Sequence, residues 1–243
     1  MPRPLTVVTG GTRGIGAATA ARLAADGHDL VLSYASDTES AAKTAALAEA
    51  AGARCVTVAA DVSAQADVDR LFDTAAQIGT VTGLVNNAGV TGGFGPLAAA
   101  DPATIQRVID VNVVGVLLCC RRAIADMTGG GAIVNVSSGA ATLGSPGDYV
   151  HYAASKAAVD TLTLGLSKEL GPAGIRVNAV APGIIDTEIH ASGGDPDRAT
   201  RVGPQIPLGR AGTADEVANA IAWMLSPEAS YTTGAVLRVA GGR

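Results

Sequence analysis

Thr9-Gly10-Gly11-Thr12-Arg13-Gly14-Ile15-Gly16 directly follows the apolar run Leu5–Val8 and opens an alanine-rich segment with helical character, Gly14–Ala25. A strand, a glycine turn and a helix in that order form the start of a βαβ unit. Gly10, Gly14 and Gly16 carry no side chain, so the backbone at Thr12, Arg13 and Ile15 can approach a pyrophosphate closely. The helix that follows offers free N–H groups and the positive end of its dipole to the same charge. Any tight turn can hold glycines. Their place after the first strand and before the first helix is what makes this a dinucleotide-binding signature.

Outward from this turn, strand and helix patterns alternate to the end of the chain. Strands are expected at Asp29–Tyr34, Arg54–Ala59, Gly83–Asn86, Ala132–Ser137, Arg176–Ala181 and Ala235–Val239. Helices are expected over Glu39–Ala51, Ala64–Ile78, His151–Gly171 and from Thr213 to Leu225, where Thr213 and Glu216 form a capping box. Asp101-Pro102 reads as an N-cap followed by proline at the first helical position, opening one long helix to about Met127. This alternation specifies an α/β fold, a doubly wound parallel sheet of seven strands with helices on both faces, in a single Rossmann domain spanning residues 1–243. Thr91–Ala100 and Glu188–Gly212 break the pattern and are expected as functional loops at the carboxyl edge of the sheet, residues 188–212 forming a substrate-binding lid.

Composition narrows the function. Seventeen Lys and Arg against 22 Asp and Glu give a net charge of −5 with no basic cluster, which argues against nucleic acid and anionic membrane as partners. No stretch reads as a secretory leader or a membrane span. The three cysteines, Cys55, Cys119 and Cys120, lack metal-ligand spacing. They read as reduced thiols of a cytoplasmic protein, with Cys119 and Cys120 as buried small residues rather than a redox pair, and no catalytic metal is expected. At the tip of the second strand, Ser33-Tyr34-Ala35-Ser36 lacks the acidic residue that would hold the ribose 2′-hydroxyl of NAD. Together with Arg13 in the phosphate loop, this favours NADP. Asp37 on the ribose would restore NAD.

Tyr152 and Lys156 stand four residues apart, on one face of a helix. A phenol near its ordinary pKa of about 10 exchanges protons poorly at neutrality, and a neighbouring ammonium lowers that value. The strand Ala132–Ser137 delivers Ser137 and Ser138 to the same sheet edge, where a hydroxyl can hold a substrate oxygen against the phenol.

Taken together these motifs resemble the short-chain dehydrogenase/reductase family, in its ordinary branch of about 250 residues. The glycine turn matches TGxxxGxG and Asn86-Asn87-Ala88-Gly89 matches NNAG. Asp61-Val62 matches the pair at the adenine, and Asn112 the helix asparagine of the catalytic tetrad. Ser138, the second serine of Asn135-Val136-Ser137-Ser138, matches the catalytic serine, although the longer spacing to Tyr152 leaves Ser137 as the alternative. Tyr152-Ala153-Ala154-Ser155-Lys156 matches YxASK, and Pro182-Gly183-Ile184-Ile185-Asp186-Thr187 the nicotinamide cradle. The resemblance implies an NAD(P)-dependent carbonyl reductase or alcohol dehydrogenase similar to 3-oxoacyl-carrier-protein reductases, with sugar or polyol dehydrogenation using NAD as the alternative. The implied roles are Tyr152 as proton donor, Lys156 on the phenol and the nicotinamide ribose, and Asn112 holding a water of the proton path. Gly10, Thr12, Arg13, Gly14, Ile15, Gly16, Tyr34, Ser36, Asp61, Val62, Asn87, Ala88, Gly89, Tyr152, Lys156, Pro182, Gly183, Ile185 and Thr187 would contact the cofactor. A sugar-nucleotide epimerase would carry a longer C-terminal domain, and a non-catalytic dinucleotide sensor would lack the tyrosine or the lysine.

The charged lid residues Glu188, Asp195, Asp197, Arg198, Arg201 and Arg210 favour a polar, modest-sized substrate. His151 and His190 are possible substrate contacts, with a solvated loop histidine as the other reading of His151. His28 reads as a surface turn residue. The helices holding Tyr152 and Val108–Leu118 are apolar on more than one face, so a homotetramer is expected, with a dimer as the alternative.

Overall fold

β1 (Leu5–Val8) is an interior strand of a seven-stranded sheet whose order is β3-β2-β1-β4-β5-β6-β7, every neighbouring pair parallel. The computed structural model describes residues 3–243. From β1 the chain passes through α1 (Gly14–Ala25), β2 (Asp29–Tyr34), α2 (Thr38–Ala50), β3 (Cys55–Ala59), α3 (Gln65–Ile78) and β4 (Val81–Asn86). It continues through α4 (Pro102–Ile109), α5 (Gly115–Asp126), β5 (Gly131–Val136), α6 (Ala140–Leu143), α7 (Val150–Leu170) and β6 (Ile175–Pro182). α8 (Ile189–Ser192), α9 (Arg198–Val202), α10 (Ala214–Leu225) and β7 (Val236–Val239) complete it. The connections leave β1 towards β2 on one side and return to β4 on the other. Parallel strands at such a reversal splay their connecting loops apart and open a crevice beyond their carboxyl ends.

Alternation along the strands sends apolar side chains to two cores, one on each face. Val7, Val31 and Leu84 pack with Leu71, Phe72, Val116 and Cys119 beneath α3 and α5. Val8, Leu30 and Leu32 pack with Leu23, Val217 and Ile221 beneath α1 and α10. Burying apolar surface at about 25 cal/mol per Å² makes these layers the main source of cohesion. With few aromatic rings available, that surface is aliphatic.

The expected strands and helices all form, with ends displaced by one or two residues. The long helix expected from Asp101 to about Met127 forms as α4 and α5, continuous through a π turn at Asp110–Val114. Its wider loop turns Asn112 fully inward, at 0% exposure. The lid is less irregular than expected, since α8 and α9 form within it. α6 follows β5 without any signal in the periodicity, four residues being too few to show one. Among the described residues no helix is long and apolar enough to cross a membrane. The three cysteines are buried and unpaired.

Candidate active site

The carboxyl ends of β1, β2, β3 and β4 surround a cavity of roughly 860 Å³. Gly10, Thr12, Arg13, Gly14 and Ile15 line it, with Tyr34, Ser36, Asp61, Val62, Asn87, Ala88, Gly89 and Thr187. Gly16 stands just behind. A Cβ there would lie 2.1 Å from the Gly10 carbonyl oxygen and 2.7 Å from Asn87 Nδ2, so only glycine lets α1 start this close to the turn. Asn87 Nδ2 donates to the carbonyls of Thr9 (3.0 Å) and Gly10 (2.8 Å), while Thr9 Oγ1 accepts from the amides of Asn87 and Ala88. The turn is therefore fixed to the loop after β4, and the crevice is a rigid cradle. Its shape and its backbone lining fit the pyrophosphate and adenosine of a dinucleotide.

At the tip of β2, Asp37 caps α2 by accepting from the Ser40 amide (3.0 Å) and hydroxyl (2.7 Å). Those bonds, with Arg13 Nη1 at 3.8 Å, hold its carboxyl below the usual range. Arg13 is the cation facing this end of the cavity from the phosphate loop. At the other edge, Asp61 binds Ser63 and pairs with Arg107 at 2.9 Å.

α7 places Tyr152 and Lys156 one turn apart, both buried, at 8% and 4% exposure. Lys156 Nζ lies 5.7 Å from the Tyr152 ring centre and donates to the Val136 carbonyl at 2.7 Å. The Ser138 hydroxyl is near enough to the phenol to favour its phenolate form. Ser137 instead points to the Lys156 carbonyl (3.4 Å) and the Asp160 carboxyl. Burial still dominates: it pushes the phenol up to about 12, against the expectation that Lys156 alone would bring it down. Burial also lowers Lys156 to about 8, while the Asp160 carboxylate pulls it back up.

Asn112 is more committed than expected. Its Oδ1 accepts from the Val90 amide (2.9 Å), and its Nδ2 donates to the Val90 carbonyl (2.9 Å) and to Ser155 Oγ (3.0 Å). The side chain clamps α7 to the loop after β4. Below it runs a buried chain that the motifs did not reveal: Asn86 Nδ2 to Asn135 Oδ1 (2.8 Å), and Asn135 Nδ2 to Thr163 Oγ1 (2.9 Å). A polar residue inside the apolar strand Gly131–Val136 was the available signal.

Pro182 and Gly183 line a second, smaller cavity of about 390 Å³, together with Ser138. Ile185 joins neither cavity: its side chain packs in the core, and its carbonyl accepts from His190 Nε2 at 3.0 Å. Burial bears on the histidines. His151 Nε2 bonds the Thr91 carbonyl (3.1 Å) and His190 is buried in the lid, so neither is a solvated loop residue. His28 is half-buried against Thr6.

The lid charges largely neutralise one another. Asp195 pairs with Arg198 and Arg201, and Arg210 with Glu216 at 2.5 Å. Arg198 is buried; it also pairs with Asp148 and lies 4.5 Å above the Phe94 ring and 5.3 Å from that of Tyr149. The basis for expecting a polar substrate from the lid's charge is thus reduced to Arg198, which borders the smaller cavity, and Glu188, which borders the larger.

The family described as enoyl-(acyl carrier protein) reductase matches residues 10–243. An uncharacterized oxidoreductase of Escherichia coli K12 is 47% identical, over 98% of this chain and 99% of that protein. A 3β-hydroxysteroid dehydrogenase of Eggerthella lenta is 44% identical, over 97% of this chain and 92% of its own. A short-chain dehydrogenase of Burkholderia cenocepacia J2315, solved in complex with NADP, superposes with a TM-score of 0.92 at 37% identity, covering 98% of this chain and 97% of that one. With its parallel sheet, its dinucleotide cradle and these relatives along its whole length, the chain belongs to the short-chain dehydrogenase/reductase family of oxidoreductases.

Proposed function

We propose that this enzyme interconverts a ketone or aldehyde and an alcohol with NADP(H), using Ser138, Tyr152 and Lys156 on the reacting atoms and Asn112 as a positioning residue. The observation that carries this reading is the buried phenol of Tyr152, beside the Ser138 hydroxyl and one helical turn before Lys156. When bound, the nicotinamide supplies or accepts a hydride. The rest falls to the chain. Ser138 would donate to the substrate oxygen and fix its distance from the phenol. Because burial holds the phenol's proton at neutral pH, Tyr152 is prepared to donate it to a carbonyl oxygen, the direction of reduction. Lys156, near 8 and supported by Asp160, keeps positive charge behind the phenol as its oxygen becomes anionic.

NADP is the preferred cofactor in this reading, because Asp37 is engaged in capping α2 and Arg13 is the cation at the adenosine end. A homotetramer is also proposed. Ala154, Ala158 and Gly165 lie exposed on α7, beside Leu164 at 48% exposure, and Leu117 stands out from α5 at 45%. β7 exposes Val236 and Leu237 on a second edge. Two separate apolar faces can close two different two-fold contacts, as a dihedral assembly requires. The buried, unpaired cysteines support a reducing cytoplasmic location.

The test is NADPH consumption with a panel of ketones, repeated with Tyr152→Phe. That variant keeps the ring and loses only the transferable proton, so turnover should fall about 10²–10⁴-fold while NADPH affinity stays within a few-fold. Turnover near that of the unaltered enzyme would refute the assignment.

A further inference from the structure

The smaller cavity beside Ser138 is cationic. Its lining draws on four separate segments: the loop from Ser138 to Tyr149, the strand end at Pro182–Ile184, Arg198 of the lid, and the last residues of the chain, including Arg238, Ala240 and Arg243. Asp148 is the one acidic side chain in that lining, and it is engaged by Arg198. Arg238 is different. It stands on β7 opposite Ala181, and its Nη2 lies 3.6 Å from where a Cβ on Gly139 would be, so the missing side chain at Gly139 admits the guanidinium next to Ser138. Among the described residues no carboxylate lies within ion-pair distance of Arg238 or Arg243. Arg198 also keeps a buried Nε without a hydrogen-bond partner.

We propose that this cavity receives a carboxylate on the substrate, held by Arg238, so that the preferred substrates are oxo acids and the matching hydroxy acids. The inference rests on the proposed carbonyl chemistry at Tyr152 and names the substrate class of that site. The guanidinium presents a planar fork of donors that a carboxylate can meet with both oxygens. Held there, the carboxylate places the carbonyl of the same molecule on the Ser138 side of the cavity wall. A neutral amide of identical shape satisfies the fork with one oxygen and turns an NH₂ donor towards it. Arg243 adds its guanidinium to the same lining, but Arg238 is the one packed next to Gly139 and Ser138, so the discrimination is assigned to Arg238.

The experiment uses a series of straight-chain methyl-ketone acids, from acetoacetate through levulinate upward, each paired with its neutral amide. Reduction is followed with NADPH, and binding of the corresponding hydroxy acids and hydroxy amides to the NADP-loaded enzyme is followed by calorimetry. At the best chain length the acid should exceed the amide by about tenfold to a hundredfold in kcat/KM and in affinity, as expected for a hydrogen bond to a charged group. Arg238→Gln should bring the acid to the level of the amide, and Arg238→Lys should restore part of the preference. The amide serves as the internal measure of folding in each variant. Equal handling of acids and amides at every length, or an acid preference that survives Arg238→Gln, overturns the proposal. If no ketone is reduced, the carbonyl-reductase reading fails separately, and the calorimetric comparison still decides whether the cavity selects a carboxylate.

Discussion

The two cavities at the carboxyl edge of the sheet are made of different material. The larger is built around the backbone of the glycine turn from Gly10 to Ile15 and of the loop after β4, with side chains such as Arg13, Asp61 and Val108 completing it. The smaller gathers side chains from four separate segments, Arg198 and Arg238 among them. Where backbone must come close to a ligand or to other backbone, sterics leave one residue type. Gly16, whose Cβ would meet Gly10 oxygen at 2.1 Å, is the clearest case. Where side chains meet around a cavity, many combinations fill it. On the proposed reading, the first cavity can carry a fixed cofactor through many activities, while the second sets which substrate is taken.

Substitutions that act on one cavity and spare the other test this contrast. Gly16→Ala should be the most severe on the cofactor side. The added methyl has nowhere to go, and overpacking of about 1–3 kcal/mol or more should weaken NADPH binding about tenfold to a hundredfold or lower Tm outright. A fluorescence titration with NADPH beside a melting curve would show which. Arg13→Ala should weaken NADPH by about 1.5–3 kcal/mol and leave NADH nearly unchanged, because a charge-assisted bond to the 2′-phosphate is what it removes. Equal kcat/KM for both cofactors in the unaltered enzyme would remove the basis for the NADP assignment.

Arg198→Ala acts on the other cavity. It breaks the contacts joining the lid to Asp148, Tyr149 and Phe94, so KM for the carbonyl substrate should rise severalfold, with NADPH affinity retained. A parallel loss of cofactor binding would mean that the two sites are not separable. The smallest effect is expected from Asp160→Asn. Asp160 raises the pKa of Lys156 from below, so its neutralisation should let the ammonium lose its proton at lower pH. The alkaline limb of the kcat/KM profile, governed by a group near 8, should then move towards neutrality. A limb that stays in place would show that Lys156 does not set it.

The same contrast explains how much could be read in advance. The seven-stranded parallel sheet and the cofactor turn were legible because alternation of apolar residues and glycine placement are local properties. The pairing of Tyr152 with Lys156 was legible because four residues make one helical turn. The phenol's proton affinity was not, since it depends on burial by residues from other segments, which outweighs the nearby ammonium. Nor were the partners of Asn112 and Asn135, or the approach of Arg238 to Gly139, because each joins positions distant in the chain. The lid's charges misled for the same reason: whether Asp195 and Arg201 face a ligand or each other is a tertiary fact.

The π turn at Asp110–Val114 has a consequence for what evolution or engineering can do with this helix. A π turn is in effect an α-helix carrying one inserted residue, and each residue advances the helix by about 100°. The insertion therefore offsets the phase of α5 from that of α4, and lets Val108 and Val111 border the cofactor cavity while Cys119 and Ala123 still face the sheet. Deleting any one residue between 110 and 114 would restore a regular helix and thereby put its two halves out of step, so that one of them must turn its apolar stripe to water. Insertions and deletions are usually tolerated in loops and resisted in helices. Here the resistance should be concentrated in a single turn, and a deletion scan across residues 102–126 would map it as a sharp minimum of folded yield.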